Sequence, residues 1–129
     1  MSHPQDEIDK AAYISLATFR RSGDAVRTPV WAAPSDTALY VFSAGNAGKV
    51  KRLKNSNRAE VAVCDVRGKV LGEWYPATAR LATEPAEIDK ALAALRRKYG
   101  WQMWLADVGS RLTGKFDKRA YIRVELTDE

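Results

Sequence analysis

Between Lys49 and Arg58 the chain carries five basic side chains and no acid, in the run Lys49-Val50-Lys51-Arg52-Leu53-Lys54-Asn55-Ser56-Asn57-Arg58. The small-residue stretch Ala44-Gly45-Asn46-Ala47-Gly48 leads directly into it. At about 100° per residue Val50 and Leu53 share one helical face, with Lys51 and Arg52 opposite and Lys49 and Lys54 on the flanks. Lysine at a helix start opposes the positive end of the helix dipole, a cost of roughly several tenths of a kcal/mol that a bound anion offsets. The free amides of that first turn, reached through the glycine loop, are natural donors to a phosphate. Each charged hydrogen bond to phosphate contributes about 1.5–3 kcal/mol, so two or three hold a small phosphorylated molecule. A solvated basic face fits the same spacing. A Walker phosphate loop does not: the glycine spacing is wrong, and no Ser or Thr follows Lys49.

Other residue types restrict the chemistry further. Cys64 is the only cysteine and His3 the only histidine. No internal disulfide, thiolate metal cage, zinc pair or histidine-activated nucleophile can be assembled from them. Any chemistry is therefore expected to come with a cofactor. The net charge of +5 suits an anionic partner. A nucleic-acid partner is not expected, because no binding motif is present and the densest positive charge sits beside one glycine loop.

The frame that must position the basic segment is read from periodicity. With 129 residues, 46% hydrophobic and 29% charged, the chain has the size and balance of one folded domain spanning residues 1–129. No apolar run approaches the roughly 20 residues of a membrane span, and the N-terminus has no signal-peptide pattern, which places the protein in the cytoplasm. A short polar lead, expected to form a helical turn, precedes strands at 13–19 and 26–32, with a turn at 20–24 between them. Pro29 marks the second as an edge, a bulge or an interrupted ladder that leaves backbone free for a ligand. A turn at 34–37 precedes a strand at 38–43, and further strands are expected at 59–66 and 74–82. Helices follow from Pro85 to about Tyr99, stopped by Gly100, and through Trp101, Trp104, Leu105, Val108 and Leu112 to Gly114. A strand at 121–126 ends the pattern. The expected architecture is an α+β, mainly antiparallel barrel of about six strands with helices at its ends.

The succession Tyr13-Ile14-Ser15-Leu16-Ala17-Thr18, Arg27-Thr28-Pro29-Val30-Trp31, Leu39-Tyr40-Val41-Phe42-Ser43, Gly48-Lys49-Val50-Lys51-Arg52-Leu53 and Ala62-Val63-Cys64-Asp65 resembles the pyridoxamine 5′-phosphate oxidase-like split β-barrel family. It looks closest to the branch that uses the deazaflavin coenzyme F420, and the resemblance runs from Tyr13 to the final strand. It implies a homodimer with two cofactor sites between the subunits. By position, Lys49, Lys51 and Arg52 would meet the phosphate or acidic tail, and Thr28, Pro29, Val30 and Trp31 would line the ring. Ser43, Ala44 and Asn46 would support the linker. The implied reaction is hydride transfer from a reduced deazaflavin to an unsaturated or conjugated small molecule. The alternative is an FMN protein of the same fold, which has less need of the surplus cations.

Several residues carry two readings. Tyr75 is a possible proton donor or a buried tyrosine with a structural hydrogen bond. Trp31 stacks near the ring or packs in core or interface. Trp101 and Trp104 pack within the subunit or across a dimer. Cys64 reads as a small buried apolar group. Arg96-Arg97-Lys98 reads as the cationic last turn of a helix. Arg111, Lys115, Lys118 and Arg119 reach a partner's cofactor or form a solvated loop.

Overall fold

The computed structural model of the chain describes residues 4–45, 47–114 and 118–127. His3, Asn46 and Lys115 lie outside the described residues. A short helix α1 (Pro4–Lys10) precedes β1 (Tyr13–Phe19), β2 (Ala25–Val30), β3 (Ala32–Ser35) and β4 (Ala38–Ala44). Helix α2 (Gly48–Asn55) leads to β5 (Arg58–Cys64) and β6 (Tyr75–Ala82). Helices α3 (Pro85–Tyr99) and α4 (Trp101–Leu112) come next, and β7 (Arg119–Leu126) closes the order. The seven strands form one antiparallel sheet in the order β2-β1-β5-β6-β7-β4-β3. This is the α+β split barrel expected from the sequence.

The extra strand arises at Trp31. The pattern predicts one strand over 26–32, but the ladder breaks there: β2 pairs with β1, and β3 pairs with β4 at the opposite edge. Pro29, which cannot donate to a ladder, lies on an edge strand as its chemistry requires. The predicted turn at 34–37 is likewise shorter than expected. Pro34 and Ser35 belong to β3, and the reversal falls at Asp36 and Thr37, with Asp36 at φ 57°.

Two packed layers explain the long apolar runs. Ile14, Leu16, Val30, Leu39, Val41, Val61, Ile122 and Val124 fill the curled inner face, with Ile8 of α1 and Leu53 of α2 against it. On the outer face, Ala91, Ala94, Leu95, Tyr99 and Met103 of α3 and α4 cover Ala33, Ala38, Tyr40, Ala82 and Tyr121. Strand β4 is buried on both faces from Ala38 to Val41, which is why its sequence reads as a continuous run instead of an alternation. Gly100 joins the outer helices with φ 54°, a conformation that a Cβ disfavours.

Helix α4 departs from expectation. Of its predicted apolar face, Trp101, Trp104, Leu105 and Leu112 are exposed, and Met103 and Asp107 are the buried positions. Its buried stripe is thus rotated from the one the tryptophans suggest.

Candidate functional site

Helix α2 seats Val50 and Leu53 inward, the face predicted from spacing. Small residues beneath it, Ala59, Ala77 and Ala79, leave room for Leu53 in the inner core. Its N-cap is Ala47, whose side chain provides no capping acceptor, so the helix begins without a side-chain partner for its first amides. Lys49 is half-buried in this first turn, and its ammonium donates to Ser43 Oγ at 3.4 Å. Burial, and then the charge of nearby Arg52, lower the Lys49 pKa from its ordinary value. Among the described residues no ion pair involves Lys49.

Beside this turn lies a cavity of about 470 Å³ lined by Phe42, Ser43, Ala44, Gly45, Ser110, Lys118 and Arg119. Two cations, two hydroxyls and one aromatic ring thus face one space. Gly45 ties its rim: the Gly45 amide donates to Lys118 O at 2.9 Å, and a Cβ there would collide with that oxygen. Only glycine permits this approach, because the obstacle is backbone.

Arg119 is not a solvated loop residue. Its side chain is 5% exposed and donates to Asp107 Oδ1 at 2.8 Å, Ser110 Oγ at 2.8 Å and Ala106 O at 3.1 Å. The guanidinium lies 4.6 Å from the centroid of the Phe42 ring. Asp107 also accepts from Arg96 Nε at 2.9 Å, so two arginines balance one buried carboxylate. The sequence carried a signal for this cluster. Asp107 follows Met103 at helical spacing, and an acid on a buried stripe requires a cation.

The predicted ring-lining residues divide by face. Thr28 pairs with Leu16 and points the same way as Val30, into the curled side of the sheet. Its Oγ1 is fully shielded and has no hydrogen-bond partner among the described residues. Pro29 is exposed on the other face. Trp31 stacks on Tyr99 at 4.6 Å between centroids and meets Phe42 edge-on at 6.1 Å, so one indole face is taken by the protein itself. The Tyr99 hydroxyl accepts from Ala32 N at 2.9 Å and donates to Ala12 O at 2.9 Å. Burial pushes its pKa up to about 12.

None of the three predicted phosphate cations lines the cavity at Ser43: Lys49 reaches it through its bond to Ser43, and Lys51 and Arg52 lie elsewhere. Lys51 is exposed, and both line a separate cleft with the β1–β2 turn. Arg52 Nε donates to the buried Thr18 Oγ1 at 2.7 Å, and its guanidinium folds back over Gly48. Ser43, Ala44 and Lys49 therefore cluster at the start of α2; Lys51 lines the cleft beside the helix, and Arg52 lines that cleft while its guanidinium reaches back to Gly48.

The remaining residues resolve as structural contacts. Tyr75 donates to Glu7 Oε2 at 2.9 Å, tying β6 to α1, and this bond raises the phenol pKa. Cys64 is buried, and burial raises its thiol pKa. Lys98 is more than a dipole partner: its ammonium donates to Asp9 O, Ala11 O and Ala32 O at 2.8, 2.7 and 2.6 Å. Desolvation lowers its pKa to about 8.

A curled antiparallel sheet with a helix seated over its inner face, and a cationic cavity at that helix's start, defines a split-barrel protein of the flavin-binding type. The chain belongs to the pyridoxamine 5′-phosphate oxidase family, whose sequence profile matches residues 3–127. Its fold is similar to that of the conserved hypothetical protein Rv2991 from Mycobacterium tuberculosis, with TM-score 0.72 and 18% identity, covering 99% of this chain and 82% of that one. A putative 5-nitroimidazole antibiotic resistance protein from Bacteroides thetaiotaomicron gives TM-score 0.71 and 13% identity over the same 99% and 82%. An F420 reductase gives TM-score 0.62 and 14% identity, covering 99% of this chain and 97% of that one. No curated protein matches the chain. No helix among the described residues is long and apolar enough to cross a membrane.

Proposed function

We propose that this chain is an F420-dependent oxidoreductase, acting as a homodimer of single split-barrel domains (residues 1–129) in the cytoplasm. It reduces an unsaturated or conjugated small molecule. The observation that carries this reading is Lys49: a half-buried ammonium at an uncapped helix start, hydrogen-bonded to Ser43 and in no ion pair among the described residues. Burying a cation costs free energy unless an anion accompanies it. A phosphate at that turn meets the Lys49 ammonium and the helix amides together.

The other residues fit an anionic, ring-bearing guest. Lys118 and Arg119 add positive potential to the cavity floor beside Phe42. Ala44 flanks the linker between phosphate and ring, a role that the resemblance also gives to Asn46. The shielded Thr28 Oγ1 lacks a partner that a polar ring atom supplies. Of the other residues that the resemblance assigns to the ring, Trp31 stands beside Phe42 of the cavity, while Val30 shares the core face of Thr28 and Pro29 is exposed on the opposite face. Lys51 and Arg52 line the cleft beside α2, where the acidic tail of a cofactor reaches them. When bound, the reduced deazaflavin provides the hydride chemistry, and the protein provides position, water exclusion and electrostatic support.

Fluorescence titration of the purified protein with F420 and with FMN tests the proposal. F420 is expected to bind more tightly, and Lys49→Ala to weaken it about tenfold or more, the equivalent of one lost charged hydrogen bond of about 1.4 kcal/mol. Equal affinity of parent and variant removes Lys49 from the site. A preference for FMN transfers the assignment to an FMN protein of the same fold.

A further inference from the structure

Helix α4 carries side chains for burial on two sides. At about 100° per residue, Met103 and Asp107 take the buried side, whereas Trp101, Trp104, Leu105 and Leu112 fall on an arc of about 100° turned away from it. Each of these four is more than half exposed, Leu112 at 83%, and they are four of the six exposed large apolar side chains among the described residues. A single exposed leucine is ordinary. A stripe running about 16 Å along one helix marks a surface that something covers.

The charge around the stripe is of one sign. From Lys90 to Gly114 the only acid is Asp107, and it is buried between Arg96 and Arg119. Arg97 is exposed in the last turn of α3, just before the stripe, and Arg111, also exposed, falls beside Trp104 on the helical wheel. Two copies laid stripe to stripe, in either direction, set these arginines against arginines, since the stripe itself bears no acid. An anionic partner meets them instead. The face of a helix is also convex, so a rigid protein partner needs a matching groove, whereas a fluid lipid surface deforms around it. Tryptophan rings settle at the headgroup level of such a surface.

We propose that α4 docks this protein onto the surface of an anionic lipid bilayer, lying in the interface with Trp101, Trp104, Leu105 and Leu112 against the upper acyl chains and with Arg97 and Arg111 against lipid phosphates. Twelve residues span about 18 Å, so the helix lies on the bilayer and does not cross it. None of the four apolar residues lines the cavity at Ser43. The inference rests on α4 and holds whichever cofactor the cavity takes.

Flotation of the full chain with vesicles tests it, comparing phosphatidylcholine alone with equal parts of phosphatidylcholine and phosphatidylglycerol. The parent is expected to float with the anionic vesicles, less so as salt rises, and far less with phosphatidylcholine alone. Trp104→Gln/Leu112→Gln removes two anchors and lowers partitioning about tenfold or more, with an unchanged thermal melt because both side chains are exposed. Arg97→Gln/Arg111→Gln leaves the apolar stripe whole, and it too lowers partitioning and flattens the salt dependence. The proposal is overturned if the parent stays unbound to anionic vesicles at low salt, or if the Trp104→Gln/Leu112→Gln variant floats like the parent. It is equally overturned if light scattering finds the parent dimeric and that variant monomeric, which identifies a second copy as the cover of the stripe.

Discussion

Replacing Thr28 with valine separates fold from binding in a single substitution. Thr28 Oγ1 is shielded from solvent and has no hydrogen-bond partner among the described residues, while its cross-strand neighbour Leu16 and the nearby Val30 are core residues. Valine keeps the β-branched shape in the strand and removes the stranded hydroxyl. An unsatisfied buried hydroxyl costs about 1–3 kcal/mol, and the lower end applies at an edge strand, so Thr28→Val stabilises the free protein by about 1 kcal/mol. For 129 residues at about 2.1 cal/mol/K each, the unfolding entropy is roughly 0.27 kcal/mol/K, and Tm rises by about 4 °C. Cofactor binding moves the other way, weakening about 2- to 10-fold through loss of one neutral hydrogen bond. Thermal unfolding by circular dichroism without cofactor, at fixed protein concentration, is paired with fluorescence titration. A fall in Tm refutes the stranded hydroxyl; a rise with unchanged affinity refutes its contact with the guest.

Three further outcomes are expected. Gly45→Ala places a Cβ against Lys118 O and forces the loop away from β7, so cofactor affinity falls while the thermal transition shifts by a few degrees, as a titration and a melt of the same sample show. Asp107→Asn removes the buried carboxylate that Arg119 and Arg96 share and costs about 3–5 kcal/mol in urea unfolding, whereas Lys90→Ala at an exposed pair changes stability by less than about 1 kcal/mol. Glu87 is held down to about 2, from an ordinary 4.5, chiefly by Arg80 with help from the Tyr40 hydroxyl and Arg123. Its folded pKa lies below its unfolded one, so its contribution is present above about pH 4.5 and is lost as pH falls toward 2. Because Arg80 is more than half exposed, the loss is about 1–2 kcal/mol, and Glu87→Gln flattens the acid limb of stability against pH.

Elements with strong periodicity were legible from the sequence: β1, β4, α3 and β7 lie where their apolar spacing puts them, and α2 buries Val50 and Leu53 as predicted. The strand break at Trp31 was not, because Ala32 and Ala33 continue an apolar run and only the tertiary path assigns them to the opposite edge. The orientation of α4 was hidden because its tryptophans dominate any apolar count, while Met103 and Asp107 take the inward positions. For the candidate site, Lys49 and Ser43 were singled out separately, one for the phosphate and the other for the linker, and their mutual hydrogen bond is seen only in the structure. Arg119 was not, since its role comes from Phe42 and Asp107, residues brought to it by the sheet and by α4.

The sheet order places β2 and β3 at its two outermost positions, yet a single residue, Trp31, joins them along the chain. The open margins of the barrel are thereby stapled covalently, and Tyr99 and Lys98 pin the staple at Ala32. Such a closure cannot unzip from the margin by losing one pair of rungs after another. Swelling of the lumen must instead begin between interior neighbours or at the ends, and a circular permutant with new termini at Trp31 would convert a ring-like sheet into a strip with two sticky sides.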